Sequence, residues 1–271
     1  MQILRGRILA VLLFTAYALI SELFPLVGLG MVLLFLIALP WIVLRALTFR
    51  ARVSSYRNIR FDFVQDLGGA VRTYVGLAIL VPLTLFTLYP YFDLARYRYS
   101  IGNSKYGQTQ FAVQTRAGVF YRVYFTALAL LLAGTLLALA PLLLGLSFQS
   151  PGYLALAAPI YLGVTLFVGA YLTQGLQNAI YGETSLGPHR LSSSLETVPL
   201  FRIYLVNTLL IVITLGLYTP FAQVRVARYR FEQLSLQVEG SLDRFVASQA
   251  QRAPGAAGEE VAEVFDVELG L

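Results

Sequence analysis

The apolar residues of the chain fall into six long blocks, at residues 8–24, 26–47, 73–92, 123–148, 153–176 and 203–224. A helix needs about 20 residues to cross a hydrocarbon core of about 30 Å, and each block meets or approaches that length. The stretch "FTALALLLAGTLLALAPLLLGL" (125–146) is apolar on every side. It lacks the polar stripe at period 3.6 carried by helices on the surface of soluble proteins. Between the blocks the pattern changes to alternation, in "IRFDFV" (59–64) and "TQFAVQT" (109–115), with Gly68, Gly69 and Gly107 as breakers. Alternation at period two predicts short strands. The pattern as a whole predicts an all-α polytopic membrane protein with about six apolar segments and small strand-containing polar caps.

Blocks and caps recur. At a shift of 50, Pro40 aligns with Pro90, Tyr56 with Tyr106, Phe61 with Phe111, Gly68 with Gly118, Arg72 with Arg122 and Tyr74 with Tyr124. At a further shift of 80, Gly107 aligns with Gly187, Arg122 with Arg202 and Tyr124 with Tyr204, and a partial fourth copy begins at "YTPFAQVRVARYRF" (218–231). Each unit reads in one order: an apolar segment closing at Pro-aromatic, a basic aromatic helix end, a turn-and-strand cap, and an Arg-x-Tyr that opens the next segment. Self-similarity of this kind predicts internal repeats. The expected organisation is one repeat-containing transmembrane domain over residues 1–235. An acidic tail over 236–271, without a basic residue after Arg252, is read as mobile.

"AVRTYV", "FYRVYF" and "FRIYLV" set Arg72 with Tyr74, Arg122 with Tyr124 and Arg202 with Tyr204 at the mouths of apolar segments. Arg96 and Arg98 stand among tyrosines in "LYPYFDLARYRYSIGNSKYG" (88–107). An arginine in such a place reaches headgroup phosphate while its methylenes, and the tyrosine ring, stay in the boundary layer. These eight residues are candidate interface anchors or lipid-headgroup contacts. Basic residues interleaved with aromatics also suit nucleic acid, but none here stands on a sizeable soluble domain. The expected partners are membrane lipids, anionic by charge complementarity, and a membrane protein partner or a second copy of the chain, with no nucleic acid.

The basic stretches 45–72 and 93–122 both read as cytoplasmic under the positive-inside rule. A single crossing by residues 73–92 would put them on opposite faces. The favoured expectation is that 73–92 enters and returns with its apex near Pro82, and that 203–224, with Gly216 and Pro220, behaves alike. A proline-kinked helix that crosses once is the alternative.

The blocks "TLGLYTPFAQVRVARYR" (214–230), "YGETSLGPHRL" (181–191) and "LYPYFDLARYRYSIGNSKYGQTQF" (88–111) resemble, in order, the repeated blocks of the YjgN family of bacterial inner-membrane proteins, a family of unknown function. The likeness covers about residues 40–235. Where that family usually has tryptophan after the proline, this chain has Trp41 once but Tyr91 and Phe221 elsewhere. The resemblance implies a multi-pass protein of the bacterial inner membrane and brings no catalytic residues.

Composition agrees with the pattern: 58% hydrophobic residues, 13% charged and a mean hydropathy of +0.70 leave too little polar surface to coat a soluble globule. The absence of cysteine excludes disulfides, thiolate metal sites and cysteine nucleophiles. Arg5 and Arg7 ahead of a short apolar run, with "AYA" (16–18), also allow a cleaved leader, although the run carries on into a second span as a hairpin turning at Ser21–Pro25 would. His189, the one histidine, has no metal-ligand spacing around it and reads as an interfacial or turn residue. Gln174, Gln177 and Asn178 share a helix face and are candidates for a polar path, with Asn207 as partner, or for hydrogen-bond glue between helices. No cofactor site and no enzyme chemistry is expected. Apart from Glu22 the spans hold almost no ionisable residue, which disfavours proton-coupled transport. The leading expectation is a facilitator or lipid- or solute-handling protein of transport type. The alternative is a membrane scaffold whose basic caps bind anionic lipid or another protein.

Overall fold

The computed structural model describes residues 14–15, 17–241 and 245–246. Arg5 and Arg7, on which the leader reading rests, and the acidic residues after Arg252 lie outside them. Residues 17–23 are helical, and the chain breaks at Phe24 (φ −135°, ψ 80°) before α1 (Pro25–Arg52). The turn is tight because Gly28 has no side chain: a Cβ there would lie 2.5 Å from the Cβ of Ser21. The hairpin therefore turns where the sequence places it.

Among the described residues three helices are long and apolar enough to cross a membrane: α1, α4 (Ala117–Ser147) and α5 (Pro151–Tyr181), with mean hydropathies of 2.6, 2.5 and 1.8. Two further apolar helices, α2 (Leu67–Leu83) and α6 (Thr197–Ile213), are shorter. Among the described residues three of the six expected segments thus have full spanning length. The short helices are followed by α3 (Tyr89–Gly102) and α7 (Thr219–Glu232). Pro90 and Pro220 lie in the first turns of α3 and α7, where a missing N–H and a fixed φ favour helix entry instead of breaking it.

The expected all-α class needs correction to mostly α, because the strands amount to more than caps. Seven strands, β1 (Ser55–Tyr56), β2 (Ile59–Phe63), β3 (Ser104–Tyr106), β4 (Thr109–Val113), β5 (Thr184–Leu186), β6 (His189–Ser193) and β7 (Leu234–Gln237), form one antiparallel sheet in chain order. Hairpins from different parts of the chain pair with each other, β2 with β3 (Phe61 opposite Tyr106) and β4 with β5 (Phe111 opposite Leu186). Two-residue loops close the hairpins. At Arg57 and Asn58 both central residues have positive φ (50° and 61°), and in the other two Gly107 and Gly187 supply it. One face carries Arg60, Asp62, Gln110 and Arg190, all exposed. The opposite face carries Ile59, Phe61, Phe63 and Phe111, the alternation of a sheet wet on one side only.

Because β2 and β3 are neighbours, the segment between them leaves the sheet and comes back. Val64 N–H donates to the Asn103 carbonyl at 2.8 Å, closing the excursion at its base. Its far end is a turn at residues 84–88, near Pro82 as expected, with Pro82 itself inside the last turn of α2. Leu85 and Phe86 there have φ of 50° and 63°, and Phe86 N–H donates to the Val81 carbonyl at 2.9 Å. The Thr84 hydroxyl donates to the Leu80 carbonyl and accepts from Leu88 N–H. The α6–α7 excursion has the same turn 130 residues on: Leu215 and Gly216 have φ of 49° and 94°, and Gly216 N–H donates to Ile211 at 2.8 Å. Thr214 makes the two bonds that Thr84 makes, to the Leu210 carbonyl and from Tyr218 N–H.

The long helices α4 and α5 are antiparallel and pack through small residues. A Cβ on Gly134 would lie 2.6 Å from Val164 Cγ2, and one on Gly175 would lie 2.8 Å from Val123 Cγ1. Where α3, α4 and α5 meet the sheet, Leu94, Phe120 and Ile180 are wholly buried and form one apolar cluster.

Candidate functional site

The Arg-x-Tyr pairs hold equivalent places. Arg72, Arg122 and Arg202 are each the sixth residue of α2, α4 and α6, counted from Leu67, Ala117 and Thr197. All three are exposed, with no hydrogen bond or ion pair to the described residues. The tyrosines two residues on turn inward instead. Tyr74 meets Tyr99 edge to face at 5.6 Å, Tyr124 meets Tyr89 at 5.5 Å and donates from its hydroxyl to Asp93 Oδ2 at 2.9 Å, and the hydroxyls of Tyr204 and Thr173 are 3.1 Å apart. In each pair the arginine faces the surroundings and the tyrosine fixes the helix to its neighbour.

Arg96 and Arg98 differ from that set. Arg96 reaches Asp93 at 3.4 Å, and its guanidinium lies 5.7 Å from the centre of the Phe92 ring. Arg98 donates to the Thr115 carbonyl at 2.5 Å, tying α3 to the connection between β4 and α4. Asp93 is buried and satisfied by Arg96 and Tyr124 together, which is the usual condition for a carboxylate out of water.

The four amide side chains tie elements together. Gln177 accepts from Arg230 Nε at 2.6 Å and donates to the Arg230 carbonyl at 3.2 Å, joining α5 to α7. Asn178 donates to the Leu195 carbonyl at 3.0 Å while its Oδ1 accepts from Leu195 N–H and the Ser193 hydroxyl at 3.1 and 2.7 Å. Gln174 accepts from the Thr197 hydroxyl at 3.2 Å. Asn207 lies elsewhere, donating to the Ala222 carbonyl at 3.2 Å, so it does not partner the other three; its buried Oδ1 has no partner among the described residues.

Two features escape a reading of the chain alone. Thr115, wholly buried, donates to the Ala179 carbonyl at 2.8 Å, a contact between residues 64 apart. The second is a cavity of about 420 Å³ on the apolar face of the sheet toward the hairpin tips, walled by Phe61, Tyr106, Phe111, Leu186, Leu191 and His189. Burial, with Tyr56 beside it, holds the Tyr106 phenol above its ordinary value, against the pull of Arg57. His189 flanks a turn as expected but is 1% exposed, with the Phe245 ring edge-on at 4.6 Å. Among the described residues no group of three His, Asp or Glu side chains is placed to hold a metal ion.

Residues 1–264 match the family described as "Bacterial protein of unknown function (DUF898)". No curated protein and no solved structure matches the chain.

Proposed function

Given that the chain belongs to the DUF898 family of bacterial proteins, the YjgN family that its blocks resemble, we propose that it is a multi-pass protein of the bacterial inner membrane built from internal repeats. In this reading α1, α4 and α5 cross the membrane, and the α2–α3 and α6–α7 excursions enter and return. The sheet lies along one face, the cytoplasmic one, and Arg72, Arg122 and Arg202 rim it at the level of the headgroups. The protein then works as a lipid-surface protein or scaffold that gathers anionic lipid, or an anionic partner, under a basic layer, and it performs no catalysis. The observation that carries this reading is the pairing of hairpins from separate parts of the chain into one sheet. A sheet cannot be divided by a bilayer, since edges stripped of their partners in hydrocarbon leave each N–H and C=O at a cost of several kcal/mol.

A solute path draws less support. Gln174, Gln177 and Asn178 all make hydrogen bonds to neighbouring segments. The spans hide only 11–12% of their most apolar windows inside the chain, which favours lipid, a partner protein or a second copy around them over a channel enclosed by one copy.

Topology provides the test. Single cysteines at Ser55 and Ser104, in a chain without cysteine, are probed with a membrane-impermeant thiol reagent in intact and in opened cells. Protection of both in intact cells and labelling of both after opening is expected. Labelling of only one in intact cells would refute the single-face arrangement and shift weight to an inverted-repeat transporter.

A further inference from the structure

The cavity on the sheet contains an unusual polar group. His189 Nδ1 accepts from Glu239 N–H at 3.2 Å, so the imidazole is neutral and its proton sits on Nε2. That Nε2–H is buried and has no partner among the described residues. A buried donor without an acceptor carries the full penalty of its lost hydration. The corresponding place in the first hairpin is held by Ile59, 3% exposed, so the sheet does not require a polar side chain at this register. Around the donor stand almost only aromatic and aliphatic groups, in a volume of about 420 Å³. Sites for small ligands commonly run to about 300–1,000 Å³, mostly apolar with a few polar groups that fix orientation.

We propose that this cavity is a binding site for a neutral, mainly apolar molecule bearing an acceptor oxygen, such as a long-chain alcohol, ester or quinone carbonyl, with His189 Nε2–H as the donor that orients it. The neutral class follows from the site's chemistry. The donor is an uncharged N–H, and a carboxylate drawn into these walls would lose its hydration for a single neutral bond, which does not offset the loss. An apolar molecule with an oxygen at one end fills the space between Phe61, Phe111 and Leu191, and its oxygen reaches the covered donor when the Phe245 ring, edge-on against the imidazole, moves aside. Phe245, edge-on to the His189 ring and stacked on Tyr106 at 6.4 Å, forms a wall contributed from beyond β7. The site stands apart from the arginine rim, and it holds whichever face of a membrane the sheet occupies.

Heavy-atom quenching reads the site directly. Trp41, the only tryptophan, is replaced by Phe and the half-exposed Val238 at the rim of the cavity by Trp, which puts the sole indole beside the cavity of the full chain in lipid nanodiscs. The unaltered Trp41 chain reports simple partition of each probe into the membrane. 12-Bromododecanol is expected to quench the cavity indole saturably, at a concentration at least about tenfold lower than 1-bromododecane, with 12-bromododecanoate no better than the alkane. Trp41 should show no such order. His189→Phe should abolish the preference for the alcohol, and His189→Gln, which keeps a side-chain N–H, should retain part of it; unchanged circular dichroism checks the fold. Equal quenching by alcohol and alkane in the otherwise native cavity refutes the proposal without any histidine variant. A preference that survives His189→Phe, or tightest binding of the carboxylate, refutes it as well.

Discussion

At Gly134 α4 and α5 pack with no room for a side chain, and adding one methyl group there should be felt across the hairpin. A Cβ would lie 2.6 Å from Val164 Cγ2 and 3.0 Å from Val164 Cβ, whereas carbon atoms in contact settle at about 3.5–4.0 Å. Relief requires roughly 1 Å of movement, and Val164 cannot supply it by a change of rotamer, because a β-branched side chain in a helix is held in one well. The helices must part, loosening Ala127 and Ala138, both buried on α4. Overpacking of this kind costs about 1–3 kcal/mol. The reciprocal change supplies the check: Val164→Ala removes both Cγ atoms, leaves a gap beside Gly134 and costs about 1 kcal/mol by itself, and in the double variant the new methyl fills that gap. Denaturation by added sodium dodecyl sulfate in mixed micelles, followed by circular dichroism, should therefore give a coupling energy of about 1–2 kcal/mol favouring the double variant over the sum of the two singles. Additive effects within about 0.5 kcal/mol would mean that the two residues do not meet and that this helix pairing is wrong.

Three further outcomes follow from the contacts described. Asn178→Leu strips partners from the amide and carbonyl of Leu195 and from the Ser193 hydroxyl, so stability should fall by about 2–4 kcal/mol, measured by the same denaturation, while Gln174→Leu, which gives up one hydroxyl contact, should cost about 1 kcal/mol or less. Changing Arg72, Arg122 and Arg202 together to Gln should abolish any extra thermal stability in nanodiscs of anionic over zwitterionic lipid, and the Lys triple should keep a part of it; an undiminished lipid effect in the Gln triple would remove the rim from the lipid reading. Phe86→Gly should raise the midpoint of thermal unfolding, because a bulky residue held near φ 63° gives up left-handed strain of about 1 kcal/mol; a fall would show that the ring is needed at the turn.

Much of this architecture is written in local pattern. The alternation at 59–63 and 109–113 is read correctly as β2 and β4, and the hairpin near Ser21–Pro25 turns where the apolar run is interrupted. The joining of the hairpins was not legible, since Phe61 and Tyr106 are neighbours only through register between distant segments, and no period along the chain encodes that. Pro82 marks the neighbourhood of the apex, two residues before the turn, without making it. A proline punctuates a helix, but the turn is made by left-handed backbone at Leu85 and Phe86 and by the Thr84 hydroxyl, and only Gly216 at the matching place in α6–α7 signals it in sequence. The tyrosines of the Arg-x-Tyr pairs read as boundary residues, yet they pack inward, because aromatic partners at Tyr89 and Tyr99 come from a different helix. The cavity beside His189 is a product of seven strands lying side by side and has no signature of its own.

That the seven strands follow one another across the sheet in chain order bears on how the molecule is made. Each hairpin finds its neighbour already waiting at the edge, laid down by the part of the chain synthesised just before it. No strand must be threaded between two others, and none waits for a partner from the far end of the sequence. Assembly can therefore run from the N-terminus toward the C-terminus at the pace of translation, each new hairpin joining the edge once the helices between it and its neighbour have been made. An arrest of synthesis after residue 116 should leave a four-stranded intermediate whose open edge is β4, waiting for β5.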